Sequence, residues 1–215
     1  SEVIKNNPTN WTDTKKLINI YGIASAMSYL HSRDILHRRL YASNVLVDQF
    51  YNPKVCDFLF TDHFDSIDKI GKVIKMPKVC LPESLNGGEF TKKSDVYFYG
   101  FLVYHIMTNE PPFDNLSPAQ LIINAINSKR PELKETIPHA YIDLIERCWN
   151  EEADQRPTFN EIIHVLQENS DFITEKVDKI EYMSYIESIR NWAGNGKTTA
   201  NEDKADKRTK KQKTE

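Results

Sequence analysis

Cysteines are few in this 215-residue sequence, and they lie far apart. Cys56, Cys80 and Cys148 form no CxxC pair and have no histidine cluster beside them, so a metal site or a disulfide framework is weakly supported. Reduced thiols are typical of intracellular proteins. We therefore expect a cytoplasmic protein whose cysteines are free.

Long apolar runs and an excess of one charge are also absent from the sequence. The longest apolar run, Val96–Met107, is shorter than the ~20 residues that a membrane span needs, and no secretory signal is recognised at the start. The net charge of −3 argues against a nucleic-acid binder, and the hydrophobic content of 40% predicts a real core. The first residue is Ser rather than Met, which is compatible with a fragment.

The spacing of apolar residues predicts a mostly helical body. Helical periodicity occurs in residues 12–32, 94–108, 117–128, 140–150, 158–168 and 170–192. Thr12 and Ser117 are the expected N-caps of two of these helices, and Thr158 with Glu161 forms a capping-box pattern.

The remaining segments carry little helical signal. Residues 44–48 and 53–58 are two short β-like runs separated by a turn. Residues 59–93 show little periodicity and predict a long irregular segment, which in a compact domain is usually functional. Residues 194–215 form a polar, basic tail that we expect to be disordered.

Five short motifs follow one another in a fixed order. They are HRRLYASN (His37–Asn44), CDF (Cys56–Phe58), LPES (Leu81–Ser84), SDVYFYG (Ser94–Gly100) and RCWNEEADQRPTF (Arg147–Phe159). Together they resemble the C-terminal lobe of the eukaryotic protein kinase fold, and the last motif is most similar to the tyrosine-kinase-like (TKL) group of Ser/Thr kinases.

This resemblance implies a fold, a domain organisation and a set of ligands. The fold is a mostly α helical lobe with short β-hairpins, in residues 1–168, followed by an amphipathic helix in residues 169–193 and the tail. ATP and Mg²⁺ are the implied cofactors. Protein partners in signalling are implied as well, without nucleic acid and without a membrane span.

The implied catalytic loop departs from the family pattern at its centre. His37 and Arg38 match the histidine and arginine of the loop, but Arg39 stands where the family has the aspartate that accepts the proton of the substrate hydroxyl. Tyr41 replaces the lysine expected near the transferred phosphate. In this family, the arginine that Arg38 matches often binds a phosphorylated residue of the activation segment. Thr61 and Ser66 are the candidates for that residue here. An ordinary loop contact of Arg38 is the alternative.

Some of the metal-binding and nucleotide-binding positions that the resemblance implies carry the family residue. Asn44 matches the ligand of a second Mg²⁺, Asp57 and Phe58 match the first two residues of the aspartate-phenylalanine-glycine turn, and Leu46 matches a nucleotide-binding position. Leu59 replaces the glycine of that turn. Residual Mg²⁺–nucleotide binding is one interpretation. The other keeps Asn44 and Asp57 only as hydrogen-bonding loop residues, because metal ligands without a phosphate cradle bind Mg²⁺ poorly.

An arginine at the base position opposes catalysis in two ways. Loss of a general base costs about 10² to 10⁴ in rate. The guanidinium of Arg39 also stays cationic. At ~8 Å and an effective dielectric constant of ~20, it would repel one Mg²⁺ by roughly 4 kcal/mol before screening.

The implied structural residues are better preserved than the catalytic ones. Glu83 and Arg156 match a buried ion pair of the family, Asp95 matches a carboxylate that braces the catalytic loop, and His37 and Phe58 match members of an internal hydrophobic column. No GxGxxG pattern occurs among the seven glycines. We therefore expect the N-terminal lobe to be absent from this chain.

Three interpretations of function remain open. The first is a pseudokinase that acts as a binding or scaffold module in signalling. The second is an ATP-dependent Ser/Thr protein kinase with unorthodox chemistry or a missing upstream lobe, since phosphoryl transfer relies largely on positioning and electrostatics. The third is a decaying or truncated gene product with no function of its own.

Overall fold

A computed structural model describes residues 8–57, 81–85, 87–114 and 116–192 of the chain. The chain divides into two units, residues 1–177 and 178–215. The described part is mostly helical with one small two-stranded sheet, which confirms the predicted mostly α composition with a short β-hairpin.

The described residues of the first unit form six α-helices and two strands. In chain order they are α1 (Asp13–His31), β1 (Val45–Val47), β2 (Pro53–Val55), α2 (Pro82–Leu85), α3 (Lys92–Thr108), α4 (Pro118–Ile126), α5 (His139–Cys148) and α6 (Phe159–Glu168). Single 3-10 turns occupy Pro8–Asn10, Ala42–Asn44, Ala153–Gln155 and Ser170–Phe172. In the second unit, helix α7 covers residues 179–192.

Side-chain caps fix where the helices begin. The Thr12 hydroxyl accepts a hydrogen bond from the Lys15 amide at 3.3 Å, and capping boxes start α4 at Ser117 and α6 at Thr158, so the three expected caps are confirmed. A further capping box, between Thr91 and Ser94, starts α3 two residues before the expected position.

Helix α3 lies at the centre of the first unit. It packs against α5 and α1, and its residues from Ser94 to Tyr104 are buried without interruption. Gly100 permits the approach of α5, because a Cβ atom there would lie 3.0 Å from the Cβ of Cys148. The Tyr99 hydroxyl donates to the Ile20 carbonyl of α1 at 2.8 Å.

The β-hairpin positions the two ends of the candidate site. Strands β1 and β2 are antiparallel, with Val45 opposite Val55. The Asp48 carboxylate accepts hydrogen bonds from the Phe50 and Asn52 amides and so closes the turn. As a result, the residue before β1 and the residue after β2 are neighbours.

Several segment boundaries differ from the prediction. The strands are shorter than residues 44–48 and 53–58, and the segment predicted to be irregular contains the four-residue helix α2. The helix predicted from Ser170 is wrong at its start, because α7 begins at residue 179. The Asp178 carboxylate accepts hydrogen bonds from the Ile180 and Glu181 amides and caps α7, a cap that the apolar pattern did not indicate.

Other predictions fall outside the described residues or stay untested. The tail, residues 194–215, and most of the long segment, residues 58–80, lie outside them. The domain boundary at residue 168 stays a prediction. Among the described helices, none is long and apolar enough to span a membrane.

Candidate functional site

One buried carboxylate on α3 binds the backbone of the loop that follows α1. Asp95 on α3 is fully buried, and its two oxygens accept hydrogen bonds from the backbone amides of His37 at 2.9 Å and Arg38 at 2.8 Å. The Nε2 atom of His31 lies 2.9 Å from Asp95 Oδ2. Because a carboxylate only accepts, this ring nitrogen is the donor.

These bonds hold a backbone conformation that is rare for a side-chain-bearing residue. Arg38 has a φ of 66°, in the left-handed region. Its amide is bound by Asp95, and its guanidinium lies 6.0 Å from the centre of the Phe90 ring. The loop is therefore fixed by α3 rather than by its own sequence preference.

His37 is a neutral, buried residue of this loop. Its side chain is fully buried, and its Nδ1 accepts a hydrogen bond from the Arg39 amide at 3.3 Å. Burial lowers the pKa of His37, against the opposing effect of the nearby Asp95 charge. A ring that accepts at Nδ1 carries its proton on Nε2, so the loop contains an uncharged imidazole at neutral pH.

Arg39 is exposed, and its carbonyl rather than its guanidinium organises the loop. The carbonyl accepts from Asn44 Nδ2 at 2.7 Å and from the Tyr41 amide at 2.9 Å. Within the described ranges, no carboxylate lies within ion-pair distance of the Arg39 guanidinium. The position expected to carry a proton acceptor therefore carries a solvent-facing cation.

Tyr41 packs on α3. Its ring meets the ring of Phe98 edge-on, with 5.3 Å between the centroids, and Phe98 stacks on Phe90 at 6.0 Å. The position expected to carry a phosphate-contacting lysine thus adds an aromatic contact to the core instead of a point charge.

Asn44 and Asp57 lie at adjoining ends of the hairpin. The Cys56 amide donates to the Asn44 carbonyl at 2.9 Å, which brings the two segments together. Asn44 is buried and Asp57 is exposed with a φ of 60°. Leu46 between them in sequence is 57% exposed, and Phe58 lies outside the described residues, as do Leu59, Thr61 and Ser66.

The side chains at this end of the hairpin include oxygen donors of the type that binds Mg²⁺. The Asn44 amide oxygen and the Asp57 carboxylate are hard oxygen donors, and Mg²⁺ commonly takes one or two such ligands together with waters and phosphates. The Asn44 side chain is already engaged, since its Nδ2 donates to Arg39 and its oxygen accepts from the Ser43 hydroxyl at 3.3 Å. No group of three or more metal-binding side chains occurs in the part of the chain that the structure describes.

The Cys56 thiol beside Asp57 is not activated. Burial raises the pKa of Cys56, and the negative charge of Asp57 raises it further. The thiolate is the reactive form of cysteine. This thiol is therefore protonated at neutral pH and offers no nucleophile.

A second cluster joins α2 to the segment before α6. The Arg156 guanidinium is buried and donates to Glu83 Oε1 at 2.8 Å and Oε2 at 3.0 Å. Its remaining N–H groups donate to the carbonyls of Asn150, Lys93 and Glu151. All five guanidinium donors are thereby satisfied, which is the condition for a buried charge to be tolerated.

The Glu83 carboxylate receives further support from α3. The Ser94 hydroxyl donates to Glu83 Oε1 at 2.9 Å. Burial alone would raise the pKa of Glu83, but the hydrogen bonds and charge of Arg156 outweigh it and leave the pKa below its usual range. Glu83 is therefore ionised at neutral pH.

Three contributors to these clusters were missed from the sequence. His31 binds Asp95, Ser94 binds Glu83, and the Lys93 ammonium group donates to the Arg156 carbonyl. His31 and Asp95 are 64 residues apart in sequence. No local pattern connects such positions, so only the packing of α1 on α3 shows the pair.

The arrangement corresponds to a protein-kinase-like domain, and comparison with known proteins agrees. A family model described as "Protein tyrosine and serine/threonine kinase" matches residues 1–166. A protein of Acanthamoeba polyphaga mimivirus described as a serine/threonine-protein kinase/receptor is 30% identical over 182 residues, which cover 82% of this chain and 11% of that protein.

Two proteins of Dictyostelium discoideum are also similar. One described as a serine/threonine-protein kinase is 34% identical over 148 residues, covering 68% of this chain and 16% of that protein. The dual specificity protein kinase pyk3 is 34% identical over 172 residues, covering 79% of this chain and 12% of that protein. This chain belongs to the protein tyrosine and serine/threonine kinase family, and it spans less than a fifth of the length of these three relatives.

Proposed function

We propose that this chain is the C-terminal lobe of a degenerate kinase domain of the TKL group, and that it acts as a cytoplasmic binding or scaffold module for protein partners in signalling. The observation that carries the proposal is the solvent-facing guanidinium of Arg39 at the base position. A cation there neither accepts a proton nor favours a second positive charge nearby.

The condition of the surrounding framework supports a binding role. The Asp95 bonds to the loop and the Glu83–Arg156 cluster are complete, and Tyr41 adds an aromatic contact where a catalytic lysine is expected. A domain that had lost all function would not be expected to keep every donor of a buried guanidinium satisfied. These contacts support a domain that keeps its fold for binding.

The alternative is an ATP-dependent Ser/Thr protein kinase, and Asp57 is the residue that favours it. Its exposed carboxylate and the Asn44 oxygen are the groups of this chain that would hold Mg²⁺. Bound Mg²⁺ would neutralise charge on the nucleotide phosphates. In that case Asp57 and Asn44 would orient the nucleotide, and Arg38 with His37 would keep the loop in place.

Phosphoryl transfer by the full-length protein decides between the two. The assay follows transfer of labelled γ-phosphate from ATP with Mg²⁺, to the protein itself and to a generic protein substrate. We expect a rate equal to the no-enzyme control. A rate well above that control, lost in Asp57→Ala, would overturn the proposal.

The variant Arg39→Asp tests whether Arg39 is the cause of the expected loss of phosphoryl transfer. If Arg39 is what blocks transfer in an otherwise complete site, Arg39→Asp should raise the rate by about 10² to 10⁴. Such a rise would show that Arg39 abolishes transfer in the natural chain, and no rise would mean that a second departure, such as Tyr41 in place of the lysine, blocks transfer as well. Thermal-shift titration with ATP and Mg²⁺ completes the test: a rise in melting temperature favours the kinase, and no change favours the binding module.

A further inference from the structure

A cavity of about 320 Å³ opens where the end of α1 meets the starts of α3 and α6. Its size falls within the usual range of small-ligand sites, at the lower end. The residues that line it are Ser28, His31, Ser32, Lys92, Lys93, Val96, Thr158, Phe159 and Asn160. None of them belongs to the base position, the hairpin or the Glu83–Arg156 ion pair.

The cavity has an apolar floor and a polar, basic rim. Val96 and Phe159 are buried at the floor, and the Phe159 ring meets the His31 ring edge-on at 5.1 Å. Lys92 is exposed at the rim and Lys93 is half-buried. Among the nine lining residues there are two lysines and no acidic side chain. The lining therefore suits a ligand with an apolar body and a negative charge.

The lysines are available to a ligand at little cost. The Lys92 ammonium group pairs with Asp34 at 2.6 Å, but the Asp34 side chain is 89% exposed, and such exposed pairs contribute little to stability. Lys93 donates one hydrogen bond to the Arg156 carbonyl, and its ammonium group carries two further N–H donors. The neighbouring Glu161 carboxylate is bound by the Thr158 amide and hydroxyl.

His31 brings a second ring nitrogen to the cavity wall. Its Nε2 donates to Asp95, and in the described part of the chain no hydrogen bond of its Nδ1 is found. A ligand hydroxyl can bond to this nitrogen in either protonation state of the ring, because a hydroxyl both donates and accepts.

We propose that this cavity binds a small organic acid with an aromatic body and a hydroxyl group. The carboxylate lies against Lys92 and Lys93, the ring lies on Phe159 and Val96, and the hydroxyl forms a hydrogen bond with Nδ1 of His31. His31 also holds Asp95, which binds the His37 and Arg38 amides. Occupancy of the cavity is therefore transmitted through His31 and Asp95 to the loop that contains Arg39.

The probe for this site is 4-hydroxybenzoate, titrated into the ¹⁵N-labelled chain with amide chemical shifts as the readout. The neutral amide of the same shape, 4-hydroxybenzamide, is the matched control. We expect saturable shifts at Ser32, Lys93 and Asn160 with the acid, and at least about five-fold weaker binding of the amide. Equal binding of the two probes, or no saturable shift at these residues, would overturn the site.

Two variants that each remove one charge should change the affinity for 4-hydroxybenzoate in opposite directions. Lys92→Gln removes one of the two cations and should weaken 4-hydroxybenzoate binding by about two- to five-fold. Asp34→Asn removes the competing carboxylate and should strengthen it by a similar factor. Lys129→Gln removes an equal charge at an exposed position outside the lining and should leave binding unchanged. Equal weakening by Lys92→Gln and Lys129→Gln would mean a general charge effect and no site.

The amide chemical shifts of His37 and Arg38 test whether ligand binding in the cavity affects the loop. On titration with 4-hydroxybenzoate, these shifts should give the same dissociation constant as the shifts of the cavity residues. In His31→Gln, whose side-chain amide can still donate to Asp95 but offers a different acceptor, binding should weaken and the loop shifts should shrink. Cavity shifts without any change at His37 and Arg38 would overturn the coupling.

Discussion

Arg156 donates two hydrogen bonds to the Glu83 carboxylate across 73 residues of sequence, at 2.8 and 3.0 Å. The pair ties α2 to the segment before α6, while the other guanidinium donors bind backbone carbonyls. The buried cation is therefore balanced by one carboxylate, and its stability contribution depends on that carboxylate being present.

We expect Glu83→Gln to lower the free energy of unfolding by about 3–5 kcal/mol, because it leaves the buried Arg156 charge uncompensated. Urea denaturation measures the change. Glu110→Gln is the control: it breaks the pair between Glu110, whose side chain is 57% exposed, and Lys134, whose side chain is 45% exposed, and it should cost far less than Glu83→Gln. Equal costs for the two variants would contradict the burial argument.

Asp95→Asn should release the loop. The replacement amide cannot accept all the bonds that the carboxylate accepts, and a hydrogen bond to a charged group contributes about 1.5–3 kcal/mol. We expect faster hydrogen exchange at the His37 and Arg38 amides and a loss of at least about 3 kcal/mol. Asp143→Asn, at an exposed position of α5, is the matched change. Unaltered exchange at both loop amides would contradict the bracing role.

His37 should make stability depend on pH near neutrality. Burial places the folded pKa below the usual 6.5, so this contribution is complete above that value and is lost as pH falls from 6.5 through the folded pKa. The unfolded chain takes up a proton that the folded chain does not bind. The slope of unfolding free energy against pH in this window should be shallower in His37→Gln than in the parent and in His164→Gln. An unchanged slope would disprove the assignment.

Gly100→Ala tests the close contact between α3 and α5. A Cβ atom at this position would lie 3.0 Å from Cys148 Cβ, 3.1 Å from the Trp149 amide and 3.3 Å from the Ile145 carbonyl. Two of these neighbours are backbone atoms that cannot rotate away. We expect a net loss of about 1–3 kcal/mol by thermal or urea unfolding, although alanine is the better helix former by about 1 kcal/mol. A gain in stability would show that the helices can separate.

The helix starts were predictable where a cap stood directly before an apolar pattern. Thr12, Ser117 and Thr158 meet that condition, and each caps a helix as expected. Asp178 also caps a helix, but apolar residues on its N-terminal side extend the pattern and conceal the break. Helix α2 has a single turn, which is too short to produce a periodic signal.

The candidate site was predictable as a set of positions and not as a set of contacts. The motif order placed His37, Asp95, Glu83 and Arg156 in one framework, and the structure shows what each of them binds. It also adds partners to which the resemblance assigned no role: His31, which lies outside the five motifs and binds Asp95, and Ser94, which binds Glu83. The orientation of Tyr41 toward Phe98 likewise follows from the packing of the loop on α3.

The helical composition, the family and the cation at the expected proton-acceptor position can be inferred from the amino-acid sequence, because they depend on residue type and local spacing. The side chains that share a carboxylate, and the cavity between α1, α3 and α6, are visible only in the folded chain. Those features depend on distances between residues that are far apart in the chain. Such distances are fixed only when the helices pack.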